Sequence, residues 1–368
     1  MTIGRTLTLT VAAALVTCVA TPALAQTYTA IELGSLGGSG SEAFGINASG
    51  QVVGDAYTPR DAAFHAFVTG MNGVGMTDLG TLGGSNSIAY AINAGGQVVG
   101  YSNITPEVYH AFITGANSTR MTDLGTLGGT YSLAWGINAS GQVVGYASLP
   151  SNVGHYAFIT AANGVGMTDI DTLGGGRGES EALGINADGQ VVGYYANLHA
   201  FHTGANGVGM TDLGALGGGA AQAQGINASG QVVGFAEITG NTAAHAFLTG
   251  ANGVGMVDLG TLGGRFSDAE GINVRGQAVG YSDISGNTAM HAFVTGANGA
   301  GMTDLNSLVR LKAGVYLTDA RGINDAGQII ANASDGHAFL LTPVPEPESY
   351  ALLLAGLGLI GFIVRRHS

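Results

Sequence analysis

The sequence predicts an all-β chain: a seven-bladed β-propeller of about 46-residue, four-stranded repeats, closed by its own N-terminal strand. Three observations predict it. Gly-Ile-Asn or Ala-Ile-Asn occurs seven times, with asparagines at Asn47, Asn93, Asn138, Asn186, Asn227, Asn273 and Asn324. Ala-Phe preceded by histidine also occurs seven times, at His65, His110, His155, His199, His245, His291 and His337, with an extra Tyr156 in the third copy. An acid before Leu or Ile forms a third series, Asp78, Asp123, Asp169, Asp212, Asp258 and Asp304, whose seventh counterpart, Glu32, lies ahead of the first repeat.

Each repeat reads as two hairpins. The first runs through a short strand ending at Ile-Asn, a turn such as Ala48-Ser49-Gly50, and a strand such as Gln51-Val52-Val53-Gly54. Asparagine opening a tight turn, with glycine three residues on, is the preference of such turns. The second hairpin pairs a strand such as His65-Ala66-Phe67-Val68 with one such as Met76-Thr77-Asp78-Leu79. No window of the repeat region carries helical periodicity. The last repeat stops at Leu340 and lacks a fourth strand, so the strand from Tyr28 to Gly34 is expected to complete it and remove an open edge. An open β-solenoid is the alternative architecture.

Composition excludes several classes. The 368 residues include 65 glycines, 10% charged residues and 46% hydrophobic ones, too apolar and too weakly charged for a disordered chain. Glycine does not recur every third residue, which excludes collagen. One cysteine, Cys18, cannot pair within the chain. A formal net charge of −13 disfavours nucleic acid and anionic lipid as partners of the folded body.

The two ends read as addresses. Residues 1–25 carry an early Arg5, an apolar run and the small-x-small site Ala23-Leu24-Ala25 of a secretory signal peptide. Residues 26–342 form the repeat domain. Residues 343–368 hold Pro345-Glu346-Pro347, an apolar run from Tyr350 to Val364 and a closing Arg365-Arg366. As a helix that run spans about 22 Å, short of a ~30 Å hydrocarbon core, so a short transmembrane anchor and a processed tail are both open readings. The tail resembles the PEP-CTERM sorting signal of Gram-negative bacteria. The resemblance implies processing by an exosortase, transient inner-membrane association, and export to the envelope or extracellular matrix. The repeats resemble the HAF repeats of extracellular bacterial proteins, named for His-Ala-Phe, with departures at Tyr156 and at Ala331-Asn332. That resemblance implies export and repetition but no established chemistry.

The repeated Asn, His and acid are expected to form a structural hydrogen-bond network in each repeat, because a catalytic site is a local departure from symmetry. No His-Glu-x-x-His, Cys/His cluster, Gly-x-Ser-x-Gly or phosphate loop occurs. The carboxylates leave calcium open, yet no Asp-x-Asp-x-Asp-Gly spacing occurs, so no metal, cofactor or catalytic residue is assigned. Tyr101, Tyr146, Tyr194, Phe235 and Tyr281, after the Val-Gly pairs, are expected in the core between blades.

A candidate site lies where the copies differ. Two residues before the repeated isoleucine stand Phe44, Tyr90, Trp135, Leu183, Gln224, Glu270 and Arg321. Two positions earlier come Glu42, Ile88, Leu133, Glu181, Gln222, Asp268 and Asp319, and a period of two places both sets on one side of the first strand. Phe44, Tyr90, Trp135, Glu181, Gln224, Glu270 and Arg321 are the candidate ligand-binding residues. Aromatic rings beside amide and charged groups suit a sugar, whose apolar face stacks and whose hydroxyls hydrogen-bond. The competing reading is that these side chains fill gaps between blades. The expected function is a non-enzymatic surface or matrix protein that binds exopolysaccharide or another envelope component. A polysaccharide lyase or glycosidase using Glu181, Asp268 or Glu270, and a purely structural matrix scaffold, are the alternatives.

Overall fold

Ala66 and Phe67 are both fully buried, yet they belong to two different cores. Successive strand residues point to opposite faces, so each His-Ala-Phe strand sends its alanine into one neighbouring sheet and its phenylalanine into the other. Val52 and Val53 divide in the same way. This is why Val-Val and Ala-Phe recur: each sheet is apolar on both faces and is sandwiched between two others. In the computed structural model, which describes residues 26–150, 152, 154–171 and 179–345, Thr27–Val344 forms one body built this way.

The fold is an all-β propeller, but the expectation of seven discrete four-stranded blades is corrected. Five four-stranded sheets stand separately, and the strands of the fifth and sixth repeats form one eight-stranded sheet. The join is a parallel contact, Ala244 with Phe266, between strand Ala244–Thr249 and the ten-residue strand Gly263–Ile272. The corresponding first strand of other repeats is shorter, as in Ser41–Ile46. In these two repeats the extra residues reach outward to pair Gly217 with Ile238 and Gly263 with Ile284. In the sixth repeat the lengthened inner strand also pairs with the preceding sheet, whereas that of the fifth, Gly217–Ile226, does not.

The N-terminal strand Tyr28–Glu32 pairs antiparallel with the last strand, Ala338–Pro343. Tyr28 and Leu33 are buried there. Closure is repeated at the inner edge. Each of the seven asparagines donates from Nδ2 to the main-chain carbonyl of the next, Asn47 to Asn93 and onward to Asn273 and Asn324, at 3.0–3.3 Å. Asn324 then returns to Asn47 at 3.1 Å, so the ring is complete.

The constant turns gather on one face, as the repeat pattern implies. Asn47 Oδ1 accepts from Ser49 and Gln51 within its own turn. The glycine-rich second turns dock beside it, with the Asn72 and Gly73 amides donating to Ser49 and Gly50 carbonyls. The Asn72 equivalents hold φ near +55°, a left-handed conformation that asparagine tolerates better than most side chains. Gln97 Nε2 reaches Asn163 Oδ1 at 3.3 Å, and Gln142 reaches Asn206 at 3.1 Å, stitching neighbouring repeats.

The signal-peptide segment and the tail from 346 onward lie outside the described residues. Among the described residues no helix is long and apolar enough to cross a membrane.

Candidate functional site: an axial cavity

The first strand of every repeat carries a β-bulge at the same place. Ala43 pairs with Gly54 and Gly45 with Val53, so Phe44 has no partner across the ladder. The same interruption falls at Tyr90, Trp135, Leu183, Gln224, Glu270 and Arg321. A bulge inserts one unpaired residue and re-aims its side chain. The period-two expectation is corrected here. Glu42 shares a face with Asp55 across the ladder, whereas Phe44 leaves the alternation. Most paired strand residues face the neighbouring sheets, whereas the bulged residues turn inward, where the paired Glu181, Tyr194 and Gln222 join them.

Close packing of the inner strands makes the bulge possible. A Cβ on Gly45 would lie 2.7 Å from the Tyr90 carbonyl, and glycine follows the bulged residue in every repeat but the second, which has Ala91. A Cβ on the glycine of Val-Val-Gly, such as Gly145, would collide with the Leu133 carbonyl of the bulged strand.

The bulged residues converge on one cavity of about 370 Å³. Phe44, Tyr90, Trp135, Glu181, Gln224, Glu270 and Arg321 all line it, so the structure brings the seven sequence candidates together. Leu183, Gln222 and Tyr194 complete the lining. Below it, an apolar constriction is lined by Ile46, Ile137, Ile185, Ile226, Ile272 and Ile323 and shares Trp135, Leu183 and Glu270 with the cavity.

The wall has two chemically distinct halves. On one side the rings of Phe44 and Tyr90 lie 5.1 Å apart, and those of Tyr90 and Trp135 lie 4.2 Å apart. On the other side polar groups bridge adjacent repeats. Trp135 Nε1 donates to Glu181 at 3.1 Å, and Gln224 Nε2 donates to Asp268 at 3.1 Å. Arg321 Nη1 donates to Glu270 at 3.0 Å and its Nε to Asp319 at 2.7 Å. The Arg321 guanidinium also lies 5.9 Å from the Phe44 ring centre and 6.0 Å from that of Tyr281.

Burial governs the electrostatics. It raises the Asp268 carboxyl well above its ordinary value, and Glu270 adds to the rise against Gln224 and Arg321. Burial also raises Glu270, with Arg321 opposing. For Arg321 burial works against the charge, but Glu270 and Asp319 outweigh it and hold the guanidinium above its ordinary value. Asp55, where the next five repeats carry Tyr or Phe and the last carries Asn332, is pushed up to about 7 by burial and by Glu42.

Two features escaped the sequence reading. Tyr194 belongs to the aromatic series assigned to the inter-blade core, yet it lines the cavity and hydrogen-bonds Glu181; burial and that carboxylate push its hydroxyl up. His155 is the second. Tyr156 occupies the ladder position that histidine holds elsewhere, since Ala147 pairs with Tyr156 where Ala56 pairs with His65. A one-residue shift turns a strand side chain to the other face. His155 Nε2 therefore lies 3.0 Å from Glu181 Oε1, off hydrogen-bonding geometry, and its ring sits 4.6 Å from that of Tyr146. The inserted tyrosine was the available signal.

The repeated His–acid pairs lie apart from the cavity, between the third and fourth strands. His65–Asp78, His110–Asp123 and His245–Asp258 are 2.9 Å apart, and His291–Asp304 2.7 Å. His199–Asp212 is looser at 3.7 Å, and His337 lies 3.9 Å from Glu32 across the closing strands.

Residues 343–366 match the PEP-CTERM protein-sorting motif, which marks the chain for export and implies processing by an exosortase. No curated protein sequence matches the chain. Among solved structures, the chain is similar to an oligogalacturonate lyase from Vibrio parahaemolyticus, with TM-score 0.53 and 9% identity over 86% of this chain and 94% of that one. It is also similar to an oligogalacturonate lyase in complex with manganese and to YCF48 with a bound peptide, both at TM-score 0.50 over 87% of this chain and 97% of theirs, with 10% and 11% identity. At such identities the likeness is one of fold alone. This chain is an exported β-propeller protein bearing a PEP-CTERM sorting motif.

Proposed function

We propose that this propeller binds a carbohydrate of the envelope or matrix, such as exopolysaccharide, in its axial cavity and does not turn it over. The observation that carries the reading is the contiguous series Phe44, Tyr90 and Trp135 facing the amide and charged groups of Gln222, Gln224, Glu270 and Arg321 in one cavity. Aromatic faces take the apolar face of a sugar ring, and the polar half takes hydroxyls. The sorting motif supports delivery to the surface where such polymers lie. The closed asparagine ring supports a rigid frame.

Trp135 is the only tryptophan, so its fluorescence reports occupancy directly. A glycan-array screen, followed by calorimetry on the hits, should give saturable binding that Trp135→Ala and Tyr90→Ala each weaken about tenfold or more. Unchanged binding in both variants removes the proposal.

A second reading, a lyase or glycosidase, draws on Asp268 and Glu270, two carboxyls raised by burial beside Arg321. Two of the structurally similar proteins are named as oligogalacturonate lyases. Turnover of a matrix polysaccharide that disappears in Glu270→Gln would establish this reading over the first.

A further inference from the structure

We infer that the ligand of this cavity carries a protonated amine: a cationic amino sugar, in preference to a neutral N-acetylated one or an acidic one. The inference rests on the carbohydrate-binding reading above and narrows its ligand class.

The argument begins with the positive charge in the wall. Arg321 is the one arginine or lysine lining the cavity, and it is already committed. Its Nη1 lies 3.0 Å from Glu270 and its Nε 2.7 Å from Asp319. An acidic sugar would therefore meet a guanidinium neutralised by two carboxylates, with further carboxylates close by. Glu181 lines the same wall with no permanent cation beside it; its neighbours are the Trp135 indole, the Tyr194 hydroxyl and His155. Asp268 is 2% exposed, and its Oδ1 has no hydrogen-bond partner among the described residues.

The aromatic half points to the same ligand charge. Ring faces attract cations, the more strongly when water is excluded. The cavity already holds one cation in this way, because the Arg321 guanidinium lies within 6.0 Å of both Phe44 and Tyr281. Tyr90 and Trp135 offer the same kind of face beside Glu181, at the end of the cavity away from Arg321's two carboxylates. An ammonium there would meet π-faces and a carboxylate together. A sugar with its amine acetylated keeps the ring stacking but loses both interactions.

The test is calorimetric titration of the full repeat domain at pH 6 and low salt with three tetramers: glucosamine, N-acetylglucosamine and galacturonate. The expected result is glucosamine binding about tenfold tighter than N-acetylglucosamine, with galacturonate weakest. Glu181→Gln retains an oxygen for Trp135 but removes the charge. It should bring the ratio of glucosamine to N-acetylglucosamine affinity toward one, a ratio read on one folded sample. Equal or tighter binding of N-acetylglucosamine or galacturonate overturns the inference and leaves carbohydrate binding standing. No binding by any of the three, with no hit on the glycan array, overturns both.

Discussion

Asn324 Nδ2 donates to the main-chain carbonyl of Asn47 across 3.1 Å and joins the last repeat to the first. The same side chain accepts at Oδ1 from the amides of Ala326 and Gln328 and donates from Nδ2 to Gln328 Oε1. One buried amide thus satisfies the turn and the ring together. Asn324→Ala strands several buried partners and should cost about 2–4 kcal/mol in urea unfolding. Asn324→Asp is the sharper probe, because it keeps the acceptor for the turn and loses the donor to Asn47. Stability equal to wild type in Asn324→Asp would show that the closing bond contributes nothing.

The strand Tyr28–Glu32 supplies the other half of closure. Its five register pairs run from Tyr28 with Pro343 to Glu32 with Phe339. Removing residues 27–33 exposes the edge of the last strand, a template for pairing with other chains. The truncated protein should lose cooperative unfolding or associate, and a synthetic peptide spanning 27–34 should restore the monomer. A truncated chain with the wild-type unfolding midpoint would mean that the ring holds without its first strand.

Asp55 gives the fold a pH dependence. Its carboxyl stands at about 7 in the folded chain against 3.8 as an isolated group, raised by burial and by Glu42. Between these values the folded state binds the proton and the unfolded state does not, so stability falls as pH rises from about 4 to about 7. The penalty is absent below that window and complete above it. At ~1.4 kcal/mol per pKa unit, and allowing for partial solvent contact, it reaches roughly 2–4 kcal/mol. Asp55→Asn should therefore stabilise the protein at pH 8 by about that amount and match wild type near pH 3.5, both read by urea unfolding. A constant difference across pH would assign the effect to packing instead.

Much of this architecture was legible in the sequence because it repeats. Asn47 and its six equivalents marked the turns, and Glu32 standing ahead of the first repeat disclosed the closing strand. The variable series marked the cavity because Phe44, Tyr90 and Trp135 differ between near-constant neighbours. The bulge was hidden, since an unpaired residue leaves no trace in a period-two pattern; only Gly45 and Gly54, which the close strands require, hint at it. The fusion of two repeats into one sheet was hidden too. It rests on one bridge, Ala244 with Phe266, and other repeats carry the same Leu-Gly-Gly without forming it.

Tyr156 is the clearest case of a local insertion with a consequence in the cavity. It takes the ladder position of histidine and turns His155 toward Glu181. The acid that pairs with histidine in other repeats, Asp169, is left with its carboxyl raised by burial against the opposing Asp171 amide. Deleting Tyr156 restores His-Ala-Phe and should return His155 to the opposite face, beside Asp169. Nuclear Overhauser contacts between the His155 and Tyr146 rings, now 4.6 Å apart, should then vanish. The Asp169 carboxyl should titrate lower once an imidazolium stands beside it. Persistence of the His155–Tyr146 contact in the deletion variant would show that Glu181, and not strand register, positions the histidine.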